Sequence, residues 1–219
     1  GKRKGYPDSP MPPHNVPFVI IGAALLWVGW FGFNAGSAVT AGHQAAMAQL
    51  VTQVATAAAA FAWMMAEWVS KGKPTAVGVA TGAVAGLVAI TPASGTVGPL
   101  GSIAIGVAAG IVCYWASTSL KKSLGYDDSF DVFGVHGVGG IVGALLTGVF
   151  ALSETGQEMI KNQITGQVVS VLVTIIWSGA VAFIAIKVAD VLCGGIRSSE
   201  DDEVEGLDVT DHGEGGYQL

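Results

Sequence analysis

The stretch "DVFGVHGVGG", Asp131–Gly140, sets one histidine, His136, in a glycine-rich apolar run. From Val132 to Ser153 that run holds no other ionisable side chain. A charge-free run of this length is what a membrane-crossing helix requires, since a hydrocarbon core takes about 20 apolar residues per span. The rest of the chain repeats the pattern. No Lys, Arg, Asp or Glu lies between Asp8 and Glu67, between Lys73 and Lys121, between Asp131 and Glu154, or between Lys161 and Lys187. The first two windows are long enough for two helices each and the last two for one each. Six spans in an all-α integral membrane protein follow.

Composition agrees. Of the 219 residues 51% are hydrophobic and 12% charged, where soluble domains carry roughly a quarter charged. The mean hydropathy is +0.58. The net charge of −6 is confined to one end: beyond Gly195, Arg197 stands against eight acids, a net −7, and the remainder is close to neutral. No basic patch suggests nucleic acid. Two cysteines, Cys113 and Cys193, are too few for a disulfide framework.

The pattern predicts helices over 16–36, 44–69, 75–90, 100–120, 132–152 and 163–192, with Asp131 as the N-cap of the fifth. Gly-, Ser-, Thr- and Pro-rich breaks, "AGSAVTAGH" and "TPASGTVGPLG", divide the two long windows. The chain therefore reads as a loop over 1–15, a membrane region over 16–195 and an acidic tail over 196–219. Six helices put Lys2, Arg3, Lys4, Lys71, Lys73, Lys121, Lys122 and Arg197 on one face and only Lys161 on the other. The positive-inside rule places that face, both chain ends and the tail in the cytoplasm. The chain starts without Met or a signal-like segment, and it is expected to be a piece of a longer protein.

Three groups of residues are candidates for chemistry. His136 is an intramembrane imidazole, able to donate and accept hydrogen bonds, and such residues face a bundle interior or cavity. The plain alternative is a packing histidine bonded to a backbone carbonyl. Trp30, Phe33 and Ser37 of "WFGFNAGS" share one helix face. An aromatic face ending in a hydroxyl can hold a small cation; an interfacial aromatic belt explains it equally well. Asp127, Asp128 and Asp131 form an acidic group before the histidine helix, either capping it or attracting cations. Glu67, Lys187 and Asp190 lie near helix ends, where snorkelling or local pairing accounts for them. Gly78, Gly82 and Gly86, Gly106 and Gly110, and Gly139 and Gly143 mark close-packing faces.

The motifs "WFGFNAGS", "AEWVSKGKP", "GLVAITPASG", "DDSFDVFGVHGVGGIVGALLTG", "IIWSGAVAF" and "EGLDVTDHGEGGY" together resemble the ammonium transporter family (Amt/Mep/Rh), in its microbial Amt branch. The resemblance runs through nearly the whole chain. It implies an eleven-helix fold of two five-helix inverted repeats with a last helix outside, assembled as a homotrimer with one pore per subunit. This chain is similar to the second repeat, helices six to ten, plus helix eleven and the tail. By motif, His136 matches the second of twin pore histidines. Phe33 matches one of two stacked gating phenylalanines, Ser37 the outer recruitment hydroxyl and Trp30 a pore-lining aromatic. Val132 and Thr91 are implied beside the lumen, and Asp131 matches the acidic residue preceding the histidine helix; by position Asp128 joins it at the cytoplasmic mouth. The first histidine and the other first-repeat residues have no counterpart here, so an N-terminal half is expected from elsewhere. The tail, with Gly206, Asp208, His212 and Tyr217, is similar to the segment that PII-type regulatory proteins contact.

The resemblance thus implies ammonium transport in the cell (plasma or inner) membrane, by recruitment, deprotonation and passage of ammonia through an apolar pore with a possible proton relay. The alternative is an ammonium sensor without large flux. No enzyme activity, cofactor or metal is expected, and the partners are ammonium or ammonia, the lipid bilayer, the missing half and a PII-type protein, with no nucleic acid.

Overall fold

The computed structural model describes residues 2–9, 11–151 and 156–216, and among these every regular element is helical. In chain order these are α1 (Val16–Gly36), α2 (His43–Lys71), α3 (Ala76–Ile90) and α4 (Pro99–Trp115). Helix α4 runs on through a π-helical turn, Ala116–Leu120, and a last α-turn, Lys121–Leu124. A second π-turn, Phe133–Gly137, leads into α5 (Val138–Phe150). Then come α6 (Gly156–Cys193) and two short helices, α7 (Glu200–Glu205) and α8 (Leu207–Thr210).

Among the described residues five helical stretches are long and apolar enough to cross a membrane: Val16–Gly36, His43–Lys71, Pro99–Leu124, Phe133–Phe150 and Gln163–Cys193. These are the helices of a multi-pass membrane protein. The sixth expected span is α3, which has 15 residues, about 22 Å at the α-helical rise. Turns follow it over 91–96, and Ala93, Ser94 and Val97 there are buried. Irregular backbone is tolerated in a membrane where protein covers it. Helix α6 begins earlier than the charge-free window suggests, because Lys161 ends the window without ending the helix.

The chain divides into two compact units. The larger comprises Pro12–Leu124 and Asp128–Leu172. In it α2 packs against α3 and α4, with α5 on the far side of α3 and α4. One core cluster joins Val51 and Ala55 of α2, Ala89 and Ile90 of α3, Ala93, Val97, and Ile105 and Ala109 of α4. A second joins Trp63, Ala85, Val88, Cys113 and Val135. Alanines dominate because the helices approach closely. A Cβ on Gly106 would stand 2.9 Å from Ala55 Cα, so only glycine permits this crossing. Local capping starts the helices: Asn15 Oδ1 accepts from Phe18 N at 2.9 Å and Thr75 Oγ1 from Gly78 N at 2.9 Å.

One expectation is corrected here. Asp131 does not cap the histidine helix with its side chain. Its backbone carbonyl accepts from Val135 N at 2.8 Å, but its φ is +54° and its carboxylate turns to Lys121 Nζ at 2.7 Å. Asp128 caps instead, accepting from Val132 N at 3.0 Å and Phe133 N at 2.8 Å. Of snorkelling and local pairing, local pairing with Lys71 holds for Glu67. The Glu67 carboxylate is buried, accepting from Lys71 Nζ at 3.1 Å and from Thr75 N and Oγ1, each at 3.0 Å.

The smaller unit comprises Gly1–Met11, Gly125–Asp127 and Val173–Leu219. Asp127 accepts from Arg3 three times: from N and Nε at 2.8 Å, and from Nη2 at 2.7 Å. The hydrogen bond to Asp127 pushes the Arg3 guanidinium above its usual value. Glu203 of α7 accepts from Lys4 N at 3.1 Å and from Arg197 Nη2 at 2.9 Å. The Lys4 amide and the Arg197 charge hold the Glu203 carboxyl below its usual range. The tail is therefore folded over 200–210, with Ser199 Oγ capping α7 by accepting from Asp202 N at 3.1 Å.

Candidate functional site

The site is built on one face of α1. Gly22, Leu26, Gly29, Trp30 and Phe33 recur at helical spacing and line an open apolar cavity of about 560 Å³ with Leu25. Trp30 and Phe33 meet edge to face, with ring centroids 6.0 Å apart. The Trp30 indole N–H donates to Thr91 Oγ1 at 2.7 Å, and that hydroxyl donates to Leu87 O at 2.8 Å. Thr91 thus holds the ring by its polar edge and leaves its face to the cavity.

A second cavity, about 300 Å³, adjoins the first by sharing Gly22 and Leu26. Val19 and Ala23 of α1, Ala80, Thr81 and Val84 of α3, Phe130, Val135 and His136 complete it. His136 is exposed to this cavity, and its ring makes no hydrogen bond among the described residues. Among the described residues no Lys, Arg, Asp or Glu lines either cavity. The structure brings Trp30, Phe33 and His136 to the two adjoining apolar cavities along α1, with Thr91 behind Trp30 as its hydrogen-bond partner.

Other candidates stand apart from these cavities. Ser37 is exposed one turn beyond Phe33, and its hydroxyl donates to Phe33 O at 2.6 Å. With its proton so engaged, the oxygen faces outward as an acceptor. Val132 is exposed and lines neither cavity. Asp128 is engaged as the cap of the π-turn. Asp131 is half-buried, and burial pushes its carboxyl up against the opposing hydrogen bond from Lys121. In the tail, Gly206 lies between α7 and α8 at φ +109°, Asp208 Oδ2 accepts from Gly216 N at 3.3 Å and His212 is exposed. Tyr217 lies outside the described residues. Among the described residues no cluster of His, Cys, Asp or Glu could hold a metal ion.

The sequence reading missed Gly22, Leu26 and Gly29. Their signal is present: counted back from Phe33 at helical spacing they fall on the aromatic face. Thr81, Val84 and Phe130 carry no such signal, because only the packing of α3 and the turn before α5 brings them to His136.

Comparison with known proteins agrees with this architecture. The profile of the Ammonium Transporter Family matches residues 1–217. An ammonium transporter of Aquifex aeolicus is 49% identical over 224 residues, covering 100% of this chain and 52% of the relative. One of Bacillus subtilis is 43% identical over 225 residues, with 100% and 55% covered. Among solved structures, a "Sensor Amt Protein" superposes at TM-score 0.84 with 31% identity, covering 90% of this chain and 49% of its own. Candida albicans Mep2 superposes at 0.82 with 34% identity, covering 92% and 48%. The chain spans about half the length of the curated relatives it matches. The family's proteins are transporters and not enzymes, and by the profile's match over residues 1–217 and the shared helical fold the chain belongs to the ammonium transporter family.

Proposed function

We propose that the complete protein moves ammonium across a membrane, and that this chain supplies half of the conduction path. The observation that carries the reading is the pair of adjoining uncharged cavities along α1, from Trp30 and Phe33 to His136. Ammonium and potassium are similar in size and charge, so a size filter separates them poorly. An apolar passage separates them differently, because a bare charge pays heavily to leave water. Ammonium can leave a proton behind and cross as ammonia; potassium has none to leave.

In this reading the Ser37 oxygen accepts an N–H of ammonium at the outer mouth, and aromatic faces attract the cation. Phe33 gates the passage. Trp30, held by Thr91, forms its wall, and His136 accepts from or donates to ammonia and relays the proton with a second ring from the rest of the protein. Val132 lies toward the inner end, and Asp128 and Asp131 shape the cytoplasmic mouth. The remaining half, a homotrimeric assembly, a cytoplasmic tail and residence in the cell membrane complete the proposal. The excess of Lys and Arg on the face bearing both chain ends supports that orientation.

In proteoliposomes of the complete transporter, His136→Ala is expected to lower ammonium-over-potassium selectivity at least tenfold. Unchanged selectivity would end the role given to His136. Ammonium uptake by transporter-deficient cells separates transport from sensing, since a sensor binds without sustaining flux.

The tail is proposed to dock a PII-type regulatory protein through Gly206, Asp208, His212 and Tyr217. Deleting residues 206–219 is expected to abolish PII binding in a competition assay while uptake persists. Full binding by the truncated protein would refute the docking role.

A further inference from the structure

His136 sits inside a π-helical turn, and that turn decides where its ring points. Helix α5 buries Gly139, Gly143 and Thr147 against α3 and α4. Continued backwards at 3.6 residues per turn, the same face falls between Val135 and His136. A regular helix would therefore press His136 toward the seam occupied by Ala89 and Cys113. The structure instead buries Gly134 and Val135 and leaves His136 exposed to the cavity. One extra residue in the turn Phe133–Gly137 makes the difference, and π-turns of this kind gather at functional sites.

The second π-turn, Ala116–Leu120 of α4, packs against the first. They meet at Gly134 and Ser117. A Cβ on Gly134 would overlap Ser117 Oγ and stand 3.0 Å from Ser117 N and 3.1 Å from its Cα. Ser117 is buried, its hydroxyl has no hydrogen-bond partner among the described residues, and its side chain fits closely against Gly134. Next to it the Cys113 thiol points at Val135 O, 3.9 Å away.

We propose that Gly134 and Ser117 are positioning residues for His136: their contact seats one π-turn on the other and thereby turns the imidazole out of the packing seam into the cavity. The functional part of this claim rests on the transport reading above; the geometric part does not.

The test uses the complete transporter without its native cysteines, carrying His136→Cys, and follows modification by a small neutral methanethiosulfonate. Ready labelling is expected. Adding Gly134→Ala should slow it at least fivefold, and Ser117→Gly placed on top should recover most of the rate by removing the overlapping hydroxymethyl group. An unchanged rate in Gly134→Ala overturns the proposal. If Gly134→Ala does not reach the membrane, the pair Gly134→Ala/Ser117→Gly is compared with Ser117→Gly alone. Matching rates support the proposal, while slow labelling or failure of the pair to fold overturns it. In parallel, with His136 restored, Gly134→Ala should lower ammonium-over-potassium selectivity as His136→Ala does. Loss of selectivity in His136→Ala but not in Gly134→Ala removes the positioning role and leaves the transport reading standing. No effect of His136→Ala removes the transport role, and the labelling result still decides the geometry.

Discussion

Gly143→Ala is expected to lower the thermal midpoint of the purified protein by about 10 °C, while Gly140→Ala on the same helix leaves it unchanged or raises it. A Cβ on Gly143 would stand 2.8 Å from both C and Cα of Ala89, whereas one on Gly140 meets nothing within 4 Å. The obstacle is backbone, not the end of a flexible side chain. Ala89 is fully buried, and its helix α3 is packed between α2 and α5, so it cannot retreat without opening the core around Ile90 and Leu87. Overpacking of this kind costs about 1–3 kcal/mol, and contact with an immobile backbone puts Gly143 at the upper end. At about 2–4 °C per kcal/mol for a chain of this size, the shift follows. Gly140→Ala gains up to about 1 kcal/mol of helix propensity with nothing to oppose it. Equal midpoints for the two variants would show that α3 and α5 do not pack as described.

Why so much of the fold is legible follows from the solvent. Hydrocarbon excludes charge, so the distances from Asp8 to Glu67 and from Lys73 to Lys121 measure helices directly. The bounds of α1 follow from a Pro-rich start and a Gly-Ser finish, both local signals. The glycines of α3, α4 and α5 announce close packing, and Gly82, Gly86, Gly106, Gly110 and Gly143 do face neighbouring backbone or Trp63. The two π-turns are not legible, because one extra residue per turn leaves no mark in composition. "ASTSL" and "FGVHG" read as ordinary helix until their partners are known.

The site divides along the same line. His136 is conspicuous because it is the one ionisable group in its window, and Trp30 and Phe33 because they share a face. What holds them is not: the Thr91 hydroxyl that fixes Trp30 is 61 residues away in sequence. Asp128 and Asp131 are both good capping residues before the same helix, and spacing alone favours the nearer. The left-handed backbone at Asp131 turns its carboxylate toward Lys121 and leaves the amides to Asp128.

Glu67→Ala is expected to cost about 3 kcal/mol of stability, with Lys71→Ala costing under about 1 kcal/mol, read as loss of thermal midpoint. The buried Glu67 carboxylate ends α2 and starts α3. One of its oxygens, Oε2, accepts the Thr75 amide and hydroxyl, and that hydroxyl in turn accepts the Gly78 amide. A negative charge therefore sits at the N-terminus of α3, where the helix dipole favours it. Between the two helices the chain reverses through Gly72, in a left-handed conformation at φ +81°. Removing the carboxylate takes away the acceptor of the Thr75 amide and hydroxyl and leaves a hole beside Gly78, which carries no side chain to fill it. Lys71 is half exposed, 53% for its side chain, so water takes over its charge when the pair is broken from the other side. Glu67→Gln should fall between the two variants, since an amide oxygen can still accept from Thr75 but its NH₂ cannot accept from Lys71. If Lys71→Ala proved as damaging as Glu67→Ala, the ion pair rather than the helix clamp would be what this carboxylate supplies. Protease cleavage at the turn over 72–75 gives a second measure: it should accelerate in Glu67→Ala and stay slow in Lys71→Ala.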